Sequence, residues 1–167
     1  MDTIRKITVS YDQTEDRLRL AYQNDNGDAK GLWLTQRLTN RLVSALLSGV
    51  DQGRGSSGAA LRAWDLSISR GKTEPGSPVD LPETGQHPLV SAIDITRVGT
   101  AMRLVFRCGD DVSAALTIDD VTIFHQWLDI LHQQYRHAGW PQNGLWRDWF
   151  DAADRMAMPR PPNLLLN

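Results

Sequence analysis

The sequence predicts an α+β fold: two tandem β-β-β-α units packed as a pseudo-two-fold pair, followed by a C-terminal helix. Three observations predict it. Apolar residues alternate with period two in two groups of three short stretches. Each group runs into a stretch of helical period. The groups also superpose by nearly constant offsets. Adding 86 takes Ile7 and Val9 to Ile93 and Ile95, and Leu18, Leu20 and Tyr22 to Leu104, Phe106 and Cys108. Adding 82 takes Leu34-Thr35 to Leu116-Thr117, and Leu42, Ala45, Leu46 and Gly49 to Phe124, Trp127, Leu128 and Leu131. A shorter second turn in the later group absorbs the difference. A three-stranded sheet with one helix cannot bury both faces alone, so two such units are expected to share a core.

Residues 1–50 form the first unit. "KITVSYD" sends Ile7, Val9 and Tyr11 to one face, and "DRLRLAYQ" sends Leu18, Leu20 and Tyr22. "DQTED" is a polar turn, and Asn26-Gly27 is a strong hairpin signal. "GLWLT" is the third strand, with Leu32 and Leu34 inward and Trp33 outward. Thr35 is the expected N-cap of a helix carrying Leu38, Leu42, Ala45, Leu46 and Gly49.

Residues 51–88 read as a connector. Six glycines and four prolines fall in those 38 positions, which is loop chemistry. One strand-like island, "WDLSIS", carries Trp64, Leu66 and Ile68 on one face.

Residues 89–140 form the second unit. "SAIDITR", "AMRLVFRC" and "VSAALT" are its strands, with "GDD" at 109–111 as a turn. Thr117 and Asp120 have the spacing of a capping box. The helix carries Phe124, Trp127, Leu128, Leu131, Tyr135 and Ala138, and Gly139 and Pro141 stop it. Residues 141–167 are a short amphipathic helix, with Trp146, Trp149, Phe150, Ala153 and Ala157 on one face and Asn143 as cap, then a proline-broken tail.

A net charge of −2 argues against a protein that is basic all over, but leaves room for one basic face. A single cysteine, Cys108, excludes an internal disulfide and reads as a small core residue. The start lacks the apolar stretch of a secretory signal, and no apolar run is long enough to span a membrane, so a cytoplasmic setting is expected.

No catalytic, cofactor or metal constellation emerges. His125 and His132 are seven apart, two helical turns or roughly 10 Å, too far for one ion. They read as the polar shoulder of the helix, near Asp129 and Arg136, and His137 faces away. "GRGSSG" at 53–58 matches G-x-G-x-x-G but lacks the strand before it and the helix after it. "NDNGDAKG" lacks the glycine and closing glutamate of a calcium loop.

Two surfaces stand out instead. Trp127, Trp140, Trp146 and Trp149, with Phe124, Tyr135 and Phe150, fall within 27 residues and precede a leucine-rich tail. Trp140, Trp146, Trp149, Leu164 and Leu165 are therefore expected to dock another protein or a second copy. The outward strand faces collect Lys6, Arg17, Arg19, Trp33, Arg103 and Arg107, with Asp94 as the acidic residue. Cations for phosphates and a ring for stacking are what single-stranded nucleic acid requires. In outline, the paired β-β-β-α plan is similar to the Whirly and Pur-type single-strand binders, which build a sheet followed by a helix in each repeat. Those repeats carry an additional strand, and none of their motif residues is matched here. The leading expectation is a non-catalytic interaction or adaptor protein working through the C-terminal aromatic surface. The alternative is a single-stranded DNA or RNA binder working through the basic sheet face.

Overall fold

The structure is a computed structural model and describes residues 1–51, 77–82, 85–99, 101–109, 112–142, 144, 146–148, 150 and 151. Its elements are β1 (Asp2–Asp12), β2 (Arg17–Asn24), β3 (Ala29–Leu34), α1 (Gln36–Asp51), β4 (Ala92–Val98), β5 (Ala101–Cys108), β6 (Val112–Ile118) and α2 (Val121–Ala138). The fold is α+β, with the element order β-β-β-α occurring twice. Residues 144, 146–148, 150 and 151 are helical. The strand-like island at 64–69 and the tail lie outside the described residues.

All six strands form one mixed sheet in the order β3-β2-β1-β6-β5-β4. Each group of three is an antiparallel meander. The groups meet through a parallel contact in which Asp2 lies opposite Ala114 and Thr3 opposite Ala115. This corrects the expected pseudo-two-fold pairing. A two-fold axis would set like strands side by side, whereas here the first strand of one group meets the third of the other. The groups follow one another head to tail, so the two outer edges of the sheet differ.

Local chemistry sets the element ends. The Asn24 side-chain oxygen accepts from the Asn26 and Asp28 amides, and Gly27 takes φ +85°, as its turn requires. Thr35 Oγ1 accepts from the Leu38 amide at 3.2 Å, so Thr35 caps α1. The expected Thr117–Asp120 box does not form. Strand β6 continues through buried Ile118, and Asp120 itself is the N-cap, accepting from the Thr122 and Ile123 amides. These bonds, Thr122 first, hold the Asp120 carboxyl below the usual carboxylate range. Gly139 closes α2 in the left-handed conformation.

Alternation works as expected on the inner face. Leu18, Leu20, Tyr22, Leu32, Leu34, Met102, Leu104, Phe106 and Cys108 are buried in one cluster with α1 and α2. The α1 stripe is shifted from expectation: Leu42, Val43, Leu46 and Leu47 are buried, while Ala45 is exposed. The helices meet where the buried Tyr135 hydroxyl, on α2, donates to the Gln36 carbonyl and Asn40 Oδ1 at the start of α1. Gln134 Oε1 on α2 accepts the Tyr11 amide, capping β1 beyond its contact with β6.

Candidate nucleic-acid interface

The outward sheet face is built by the same alternation that builds the core. Arg19 lies opposite Ser10 and Trp33, and Arg17 lies opposite Asp12. On β5, Arg103 lies between Thr96 and Thr117, and Arg107 lies opposite Ala92. Alternation with Thr8 and Ser10 places Lys6 on this face, and a bulge between Ile4 and Lys6 lets Ile4 turn inward. The six residues expected there therefore share one face. They form two sets, on β1–β3 and on β5. Strands β2 and β5 are three inter-strand spacings apart, roughly 14 Å. The face also carries Asp12, which the sequence reading left out. Its carboxylate is turned to the Thr14 and Glu15 amides.

Several of these cations already have weak partners. Arg107 Nε meets Asp94 Oδ2 at 2.5 Å, and Arg17 Nη1 meets Glu15 Oε2 at 3.4 Å. Lys6 Nζ donates to Ser77 Oγ at 3.2 Å. Surface contacts of this kind contribute about 0–1 kcal/mol and exchange readily for a phosphate. Arg103 and Arg107 are exposed, as are the small Thr96 and Thr117 beside Arg103, while Ala115 is buried.

Residues 77–79 lie over β1 on the other half of the face, and residues 88–90 line the β3 edge. Thr8 Oγ1 accepts from the Val79 amide at 3.0 Å. Further on, the Trp33 amide donates to the Pro88 carbonyl at 3.0 Å, and the Val90 amide donates to the Trp33 carbonyl at 2.9 Å. This short parallel bridge covers the β3 edge. His87 lies edge-on to Trp33, with ring centroids 5.7 Å apart. Trp33 is half-buried in consequence, so only part of its ring is open to a base.

A wedge opens where this segment leaves β3. Its cavity of about 300 Å³ is lined by Asp2, Tyr22, Lys30, Gly31, Gln86 and His87, among others. Burial alone would raise the Asp2 carboxyl. Donors from Lys30 (3.0 Å), Tyr22 (2.9 Å) and Asn24 (3.5 Å) outweigh it and hold Asp2 below the usual range. Burial, then the bond to Asp2, pushes the Tyr22 phenol well above its ordinary value, so it stays a neutral donor. Sequence reasoning missed this site, because its members come from the first residue of a strand, a hairpin and a loop.

The other expected sites fall elsewhere. Trp140 and Trp146 are buried, 8% and 0% exposed, and so do not form an open docking surface. Trp140 packs edge-on to Tyr11 and Tyr135, and Trp146 packs against Tyr135 and Phe150. The structure does not describe Leu164 or Leu165, and the side chain of Trp149 lies outside the described residues. His125 and His132 are not a solvated shoulder either. Both are buried, and His132 stacks on Phe150 at 3.8 Å with Trp146 beside it. No group of three or more His, Cys, Asp or Glu side chains arranged for a metal occurs among the described residues. Among the described residues, no helix is long and apolar enough to cross a membrane. Cys108 is buried, and burial pushes its thiol up. No family model, curated protein or solved structure matches this chain.

Proposed function

We propose that this protein is a non-catalytic binding protein whose working surface is the basic outward face of the sheet, and that its partner is a single-stranded nucleic acid. One observation carries the reading. Lys6, Arg17, Arg19, Arg103 and Arg107 share a face with Trp33, while the chain as a whole has a net charge of −2. Five cations against Asp12 and Asp94 give this face a positive excess, which is what a polyanion partner selects. A sheet face suits a single strand better than a duplex, because it offers a broad platform and no helix or ribbon to enter a groove.

The burial of Trp140 and Trp146 in the core moves the weight of the proposal from the C-terminal aromatics to this face. The proposal also includes an origin for the repeated β-β-β-α order: duplication of one unit, with the copies joined head to tail. The test is fluorescence anisotropy with a labelled mixed-sequence single strand, comparing the wild type with Arg19→Glu and Arg103→Glu. Weakening by both substitutions supports the proposal. Unchanged affinity in both would refute it.

A further inference from the structure

We infer that the wedge between β3 and residues 81, 82 and 85–88 is a nucleobase pocket, reading the hydrogen-bonding edge of one base of a strand held on the basic face. This inference rests on the proposed function and adds to it the chemical group that is recognised.

The amide and carbonyl of Trp33 both point away from β2, since they bond to Pro88 and Val90. Strand alternation points those of Gly31, two residues earlier, to the same side. Continuing the parallel ladder would require the residue-88 nitrogen to donate to the Gly31 carbonyl. Residue 88 is proline and has no hydrogen to give. The ladder therefore stops, the segment diverges, and one donor and one acceptor of Gly31 face the cavity. No backbone bond fills that place among the described residues.

An imidazole closes one side of the cavity beside them. His87 Nδ1 is buried against Gly31 and has no hydrogen-bond partner among the described residues. The ring lies so close over Gly31 that a Cβ there would come within 2.5 Å of Nδ1. Glycine is thus required for the imidazole to form this wall.

The complement is a compact planar group with adjacent donor and acceptor atoms, which every nucleobase presents. Leu32, Leu81, Pro82 and Pro88 supply apolar walls. Lys6 and Arg19 are close by on β1 and β2, where the adjoining phosphates would lie. An extended peptide fits less well. Strand addition needs a run of free edge groups, and the bridge at Trp33 has already taken the next pair.

The experiment compares a single-stranded oligonucleotide of about 15 nucleotides with an abasic strand of the same length. Both are titrated against wild type, His87→Ala and Gly31→Ala. The pocket requires the base-bearing strand to bind about tenfold more tightly than the abasic strand, and this ratio to collapse toward one in both variants while abasic binding is unchanged. Equal binding of the two strands to wild type, or a ratio that survives in His87→Ala, would overturn the pocket and leave the basic face standing. No binding of either strand would overturn the face and the pocket together. Displacement of the base-bearing strand by an uncharged extended peptide in wild type but not in His87→Ala would assign the wedge to strand addition and also overturn the inference.

Discussion

Asp16 and Trp140 lie 124 residues apart, and Asp16 Oδ1 accepts the Trp140 indole N–H at 3.0 Å. The same oxygen accepts the Tyr11 hydroxyl at 2.8 Å. One carboxylate thereby fastens the β1–β2 turn to the end of α2. Asp16 sits at φ +49°, a conformation that aspartate and asparagine tolerate better than most residues. The Tyr11 bond, then the Trp140 bond, holds the Asp16 carboxyl below the usual carboxylate range. A group depressed on folding stabilises the fold above its unfolded pKa, and that stabilisation is lost as pH falls through its folded pKa. Asp16→Asn keeps an acceptor and the backbone preference but removes the titration. Urea unfolding followed by tryptophan fluorescence is expected to show a smaller loss of midpoint for Asp16→Asn than for wild type between about pH 7 and about pH 3.

Gly31→Ala places a Cβ 2.5 Å from His87 Nδ1. Over-packing of this kind costs about 1–3 kcal/mol. The cost should be much smaller in a His87→Ala background, where the obstructing ring is gone. A double-mutant cycle by urea denaturation measures the coupling, and additive effects would show that the two side chains do not meet.

Much of this fold was legible in the sequence. Period-two alternation placed Leu18, Leu20, Leu104 and Phe106 on the buried face, and Asn26-Gly27, Thr35 and Gly139 marked real ends. The junction of the two meanders was not legible. Only two residue pairs join β1 to β6, and alternation assigns a face to each strand but no neighbour. The burial of His125 and His132 is not legible for a related reason. Helical periodicity locates one buried stripe, and nothing in it shows that Trp146 and Phe150 return to cover the flank bearing His132. The six residues of the basic face were found by alternation. The wedge was not, because His87 lies in a loop with no period and its role depends on which strand edge Pro88 leaves open.

That returning flank has a measurable weight. Phe150 is 1% exposed and stacks on His132. Phe150→Ala removes a buried ring and leaves a cavity, with an expected loss of about 3–5 kcal/mol. Equilibrium denaturation checks this, and a loss below about 1 kcal/mol would mean that the residue-150 ring lies at the surface.

Cys108 offers a probe of the inner face. The thiol is buried and pushed up by that burial, so little reactive thiolate is present near neutral pH. A thiol-reactive chromogen should react slowly with the native protein and rapidly once urea unfolds it. Fast native reaction would place β5 at an open surface.

The most direct test of the central claim is the salt dependence of binding to a single strand. If the outward face neutralises about four phosphates, log K should fall against log salt with a slope of about −3, becoming shallower in Arg103→Glu. A slope near zero, or no binding at low salt, would contradict the assignment of the basic sheet face to nucleic acid.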